Sequence, residues 1–409
     1  TPLLLGNMLQ VEVIQLILSE TYGEIFTFHL GSRPHVILSG YWLLKEALIN
    51  HTEEFSGCGD FLAIQQWSHV FGMGKRGAEE QVREEAQHLI QHLYQTHSTP
   101  FDPTFLLSCT GSNIICWLVF GEHFEYGDEQ FLALMGLINT NWKLISSTWG
   151  QVGIWGAPPF PGSCFPTPFH LLFLLQNQQM LDPQNPWDFI DCFLLKMQQE
   201  KGNPNTHFIK DMLSKTAVNL FFAGTETVSS TLKYGLRILL QHPEVEDTGG
   251  MEIDQVIGRH CSPCMEDQSR MPYVDALIHE IYPLPTRHGP PDSLSLCTQG
   301  MNVIPLLCTS QFDPSQFANP QTFDLAYFLD ENGCFKRNDA FMVFSTDRVC
   351  LGKGLAMMEL FIFLTTILQH FQLKVEEDQV TINITPKSSG LGNAVGDPPS
   401  PQLWLVVGL

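Results

Sequence analysis

Apolar positions recur with two different periods along this chain. Glu24-Ile-Phe-Thr-Phe-His-Leu30 alternates, Gly31-Ser-Arg-Pro34 turns, and His35-Val-Ile-Leu38 returns, which predicts a β-hairpin. Helical spacing takes over at Tyr41 to Ile49, Gly77 to Gln95 and Pro100 to Phe120. The strongest helix runs from Phe208 to Gln241 and is predicted to stop at His242-Pro243, since proline cannot continue it. Pro272 to Ile281 is a further helix and Gly354 to Phe371 a core helix, with an irregular stretch imposed by Pro283, Pro285, Pro290 and Pro291. Val303 to Leu307 reads as a buried strand, Val380 to Ile384 opens a final β region, and Gly156 to Pro168 is a Pro/Gly-rich connection. The expectation is a mainly α fold with a small β region, forming a single domain over residues 1–409.

Composition narrows the class. The chain is 44% hydrophobic and only 16% charged, ample for a large core and incompatible with disorder as the main state. Twenty-one Lys and Arg against 43 Asp and Glu leave a net charge of −22, which argues against a nucleic-acid partner and against adhesion to anionic lipid. Eleven scattered cysteines suit reduced thiols in a cytosol-facing protein. The longest apolar stretches, Leu355 to Phe371 and Ser112 to Phe120, are interrupted or too short to span a bilayer. With Thr1 first and no signal peptide following, an N-terminal membrane anchor is expected to be absent.

Two segments carry candidate chemistry. Phe344-Ser-Thr-Asp-Arg348-Val-Cys350-Leu-Gly352 sits just before the last helix. A thiolate there receives backbone N–H groups and the positive end of the helix dipole. Gly352 and Gly354 let a flat ligand approach the backbone, and Arg348 can pair with an acidic group on it. An isolated Cys equally suits a buried structural thiol. Ala223-Gly-Thr-Glu-Thr227 lies inside the long helix, where Gly costs about 1 kcal/mol relative to Ala. Threonine hydroxyls bonding back one turn can open the helix into a groove, with Thr227 and Glu226 relaying protons. The alternative is a packing glycine with satisfied hydroxyls.

Together these segments resemble cytochrome P-450, family 2. Asn219-Leu-Phe-Phe-Ala-Gly-Thr-Glu-Thr-Val-Ser-Ser230, His242-Pro-Glu-Val245, Met271-Pro-Tyr-Val-Asp-Ala276 and the Phe344 to Gly352 loop carry the likeness. So do Phe55-Ser-Gly57, Asp188-Phe-Ile-Asp-Cys-Phe-Leu-Leu-Lys-Met197 and Leu360-Phe-Ile-Phe-Leu-Thr-Thr-Ile-Leu-Gln369, in the same order over nearly the whole chain. The resemblance implies the cytochrome P-450 fold and haem b, with Cys350 as axial iron ligand. It implies Arg348, Phe344 and Gly352 around the cofactor, and Thr227 with Glu226 as proton donors. Asn219, Phe222, Ala223 and Leu391 would line the substrate pocket. The implied activity inserts one oxygen atom from O2 into xenobiotics, fatty acids such as arachidonate, or steroids. NADPH-cytochrome P-450 reductase and cytochrome b5 are the implied partners, and the endoplasmic-reticulum membrane, cytosolic face, the implied location.

The chain departs from the family pattern at several points. Glu280 is followed by Ile281, Tyr282 and Pro283, so the Arg of the family's Glu-x-x-Arg is absent, and Tyr327 stands where a second Arg partner is expected. Glu280 is therefore expected to be a solvated or strained carboxylate. About ten residues are missing between Glu280 and Gly300 by this comparison. A longer block is missing between Trp67 and Gly72, which removes the family's Trp-Arg helix beside the haem. The haem loop is one residue short, with Asp347 where a Gly or a base is expected. These losses favour an alternative: a catalytically inactive, decayed member with weak or no haem binding.

Weaker signals have ordinary readings. Cys261-Ser-Pro-Cys264 has metal-pair spacing but no second pair. His88 and His92, with Glu84 and Glu85 a turn earlier, are expected to form a solvated charged face. Gly390-Leu-Gly392-Asn-Ala-Val-Gly396 fails as a dinucleotide loop because Asp397-Pro-Pro399 follows where a helix must begin.

Overall fold

A computed structural model describes residues 22–30, 33–51, 76–97, 99, 101–146, 188–204, 206–282, 296–298, 301–311, 313–320, 322–345, 350–375 and 403–407. The chain opens with β1 (Ile25–Leu30) and β2 (Arg33–Leu38), the expected hairpin, with Ile25 opposite Leu38. Gly40, at φ 86°, turns the chain into α1 (Tyr41–Lys45), and a π turn (Glu46–Asn50) extends it. Then come α2 (Arg76–Tyr94), α3 (Thr104–Phe120), α4 (Glu129–Ser146) and α5 (Phe189–Gln199). They are followed by α6 (Lys210–Gln241), α7 (Pro243–Val256), α8 (Met265–Gln268) and α9 (Pro272–Ile281). Strands β3 (Leu296–Thr298) and β4 (Met301–Pro305), helix α10 (Lys353–His370), and strands β5 (Phe371–Val375) and β6 (Leu403–Val407) complete it.

Local chemistry sets these boundaries. Asp188 caps α5, its Oδ1 accepting the Asp191 amide at 2.8 Å. Pro243 ends α6 as expected but also starts α7 at its first position, where a missing N–H costs nothing. The connection at Gly156 to Pro168 and the strand expected at Val380 to Ile384 lie outside the described residues.

The four-stranded sheet has the order β1-β2-β4-β3. β4 pairs in parallel with β2, Val36 opposite Val303, joining segments far apart in sequence. β5 and β6 form a separate antiparallel pair. One hydrophobic core dominates, built on α2, α3, α6, α9 and α10, with α3 and α10 buried on nearly all faces. Leu38, Leu44, Ala276, Phe317, Phe328 and Met342 form a second core linking the sheet to α9. The seven cysteines with described side chains are all reduced.

Candidate functional site

Helices α6 and α10 pack together and carry the two candidate segments. Along α6, Asn219, Ala223 and Thr227 recur every four residues and are exposed, although Phe221, Thr225, Glu226 and Val228 around them are buried. Phe222 is half-buried beside this stripe. The other face of α6 lies against α3. There Gly224 comes so close to Ile115 that an added Cβ would stand 2.7 Å from Cγ1 and closer still to Cδ1. Gly111 of α3 faces the Thr225 carbonyl in the same way, and Ser112 donates to the Thr225 hydroxyl at 3.0 Å.

The expected opening at Gly224 is not present: α6 is continuous from Lys210 to Gln241. Gly224 is a packing glycine, and the hydroxyls near it are satisfied. Thr227 donates to the Ala223 carbonyl at 2.6 Å, and Thr231 to the Thr227 carbonyl at 2.7 Å. The helix absorbs these bonds without breaking. Buried Glu226 accepts a hydrogen bond from Ser230 at 3.1 Å, so its carboxylate faces along the helix while Thr227 faces outward.

Cys350 is exposed, which removes the buried structural reading. Its amide donates to the Phe344 carbonyl at 2.9 Å, and its own carbonyl accepts from the Lys353 amide at 3.1 Å. These bonds close a loop that ends at Gly352, the N-cap of α10. A Cβ on Gly352 would lie 3.8 Å from the Cys350 sulfur. Phe344 is buried, with Lys353 Nζ 5.8 Å from its ring centroid, and its ring meets Tyr282 edge-on at 4.8 Å. Arg348 and Leu391 lie outside the described residues.

The sulfur donor fits the iron of a macrocycle. A bare metal ion needs three or four protein ligands, and no such group of His, Cys, Asp or Glu occurs among the described residues. One soft, exposed thiolate suits a metal whose equatorial ligands come with the cofactor.

Behind the loop the structure corrects an expectation. Glu280 is not solvated: it is fully buried and accepts from the Asp324 amide at 3.4 Å. Tyr327, where an Arg was expected, accepts from the Asn319 amide at 2.8 Å and packs against Phe317. Two further polar groups in this region had not drawn attention in the sequence. Tyr282 and Glu359 are both buried, and among the described residues Tyr282 Oη and Glu359 Oε2 have no hydrogen-bond partner. Burial holds Glu359 well above the ordinary carboxylate range, and Glu85 adds to this. Burial likewise raises Tyr282, with Glu359 and Cys350 contributing. A lone Glu inside the apolar run after Met358 was the available signal for Glu359.

The charged face expected at Glu84 to His92 is also corrected, because Glu85 points inward and is buried. Cys264 donates its thiol to Asp267 Oδ2 at 3.2 Å at the start of α8, a capping role. The Gly390 to Gly396 loop lies outside the described residues.

Comparison with known proteins follows the same geography. A cytochrome P450 family model matches residues 2–73, 65–284 and 292–404. The first two matches overlap at 65–73 and the second and third are separated by 285–291, beside the two places where the sequence departs from the family pattern. Human cytochrome P450 2C8 is 42% identical over 99% of this chain and 93% of its own length. Rabbit cytochrome P450 2G1 is 42% identical over 98% of this chain and 91% of its own. Mouse cytochrome P450 2F2 is 42% identical over 95% and 90%. The alignment with 2C8 runs over 462 positions, more than the 409 residues here, so that relative carries internal residues this chain lacks. No described helix is long and apolar enough to cross a membrane. By the family model and by these relatives, the chain belongs to the cytochrome P450 monooxygenases, in family 2.

Proposed function

We propose that this chain binds haem b through Cys350 and inserts one oxygen atom from O2 into lipophilic organic molecules. Xenobiotics, fatty acids such as arachidonate, and steroids are the substrate classes. A haem bound by a thiolate supplies reductive O2 activation, the sulfur favouring O–O cleavage. The chain's own residues do the rest. The observation that carries this reading is the exposed Cys350 thiol two residues before the N-cap of buried α10. Amide dipoles at that end favour the thiolate over the thiol.

Gly352, Phe344 and Arg348 would hold the cofactor, Gly352 by leaving the backbone bare, Phe344 by packing and Arg348 by pairing with an acidic group of it. Asn219, Phe222, Ala223 and Leu391 hold the substrate, mostly by apolar shape. Thr227, exposed on the same stripe as Asn219 and Ala223, holds a proton at Oγ1, and Glu226 resupplies it by rotating away from Ser230. Electrons come from NADPH through NADPH-cytochrome P-450 reductase, with cytochrome b5 as a second donor, at the cytosolic face of the endoplasmic reticulum.

The test is turnover by the purified chain with reductase, NADPH and arachidonate, followed by oxygenated product. Thr227→Ala is expected to lower product per NADPH consumed by about 10-fold or more. Haem-loaded protein that accepts electrons but oxygenates no lipid, steroid or xenobiotic would overturn the reading. A second reading, a decayed member that no longer holds haem, is favoured by the breaks in the family match and the Glu280 that lacks its Arg.

A further inference from the structure

A buried carboxylate outside the candidate site is tied to a titratable ring. Glu85 of α2 is 1% exposed and receives the Tyr126 hydroxyl at 2.7 Å. His123 Nε2 lies 2.6 Å from its other oxygen. Asn113 of α3 faces the same cluster, its Nδ2 3.5 Å from Glu85 and donating to the Phe124 carbonyl at 2.8 Å. Asn113 also accepts from the Phe124 amide at 3.1 Å, and Thr110 meets the Tyr126 hydroxyl at 2.9 Å. The cluster therefore clamps the connection between α3 and α4 onto both α2 and α3. His88 stacks on His123 at 4.6 Å and His92 on Tyr126 at 4.4 Å, which covers the clamp from α2.

We propose that His123 and Glu85 form a proton-dependent clamp, closed when His123 is an imidazolium and weakened when that ring is neutral. His123 is one-third exposed, so it exchanges protons with solvent while its partner stays buried. The ionisable groups facing the pair are mostly acidic: Glu84 from α2, Glu125 from the connection, Glu359 from α10. Cys109 and Cys116 of α3 face Glu85 as thiols, and His88 and His92 face the pair from α2. The hydrogen bond that His123 donates to Glu85 raises the His123 pKa from its ordinary 6.5 against the opposing effect of burial, with Glu125 and Glu84 adding negative charge. The clamp's contribution is therefore full below about pH 6.5 and fades as pH rises through the raised folded value.

The test compares thermal midpoints of the full chain and two variants from about pH 6 to about pH 9. His123→Arg keeps the cation at every pH, and Glu85→Gln removes the anion. The parent is expected to fall relative to His123→Arg by about 2 °C across the range. Glu85→Gln is expected to lose the same step, and amides of the connection are expected to exchange faster in the parent at high pH only. If the parent runs parallel to both variants, the clamp does not exist. Should one variant fail to fold, the other still decides, because either alone must abolish the step.

Discussion

Gly224→Ala is the sharpest test of how the two central helices meet. In a solvent-facing helix this change stabilises by about 1 kcal/mol, because Ala restricts the unfolded chain and suits the helix. Here the new Cβ would fall 2.7 Å from Ile115 Cγ1 and nearer to Cδ1, well inside van der Waals contact. Ile115 is 3% exposed, and its branched Cβ leaves few rotamers to escape into. Overpacking of this kind costs about 1–3 kcal/mol, and the stiff neighbour puts it in the upper part. After the propensity gain, a net loss of about 1–2 kcal/mol is expected. In an Ile115→Ala background, itself costing about 2–5 kcal/mol, the clash is gone and the same substitution should stabilise by about 1 kcal/mol. The coupling between the two sites is then about 2–3 kcal/mol, readable from urea unfolding followed by tryptophan fluorescence. A Gly224→Ala chain more stable than its parent, or a coupling near zero, would refute this packing.

Other outcomes follow from buried charges and from the surface. Glu246 accepts the Leu373 amide at 2.7 Å and burial raises it to about 7, so the parent should lose stability as pH rises from about 4.5 through about 7. Glu246→Gln keeps that bond and should flatten this part of the stability curve; an unchanged slope would remove Glu246 as its source. Asp188, raised to about 6 mainly by burial, still caps α5, so Asp188→Ala should cost about 1 kcal/mol. Asp188→Asn should keep the cap and gain stability above about pH 6, as denaturant midpoints at two pH values will show. If the proposed reductase docks through an acidic face, Arg348 and Lys353 offset by Asp347 in a chain of −22 make that association slow and weakly salt-dependent. Stopped-flow rates as fast and as salt-sensitive as those of a basic-faced relative would contradict this.

Much of the helical framework is legible in the sequence, for identifiable reasons. α9 begins and ends where its apolar spacing and its leading proline put it, at Pro272 and Ile281. The hairpin and the β4 region are also legible, but the parallel pairing of β2 with β4 is not, because no local signal links residues so far apart. α4, α5, α7 and α8 are not legible from the apolar spacing. In α7, the acidic run and Gly249-Gly250 obscure the helical period, and Pro243 reads as a stop although it also starts the next helix. The exposed stripe at Asn219, Ala223 and Thr227 follows from four-residue spacing, whereas the depth of Glu85, Glu280 and Glu359 does not. Adjacent Glu84 and Glu85 look equivalent in sequence, and only packing against α3 decides that one is buried. The burial of Glu280 depends on the Asp324 turn reaching α9 from more than forty residues away.

Cys350 is proposed to hold haem despite the segments this chain lacks. The ferrous–CO difference spectrum of the expressed chain, beside Cys350→Ala, tests it most directly. A Soret band of thiolate-ligated haem is expected in the parent, and its loss in the variant. A parent with no haem, or a band that Cys350→Ala leaves unchanged, would contradict it.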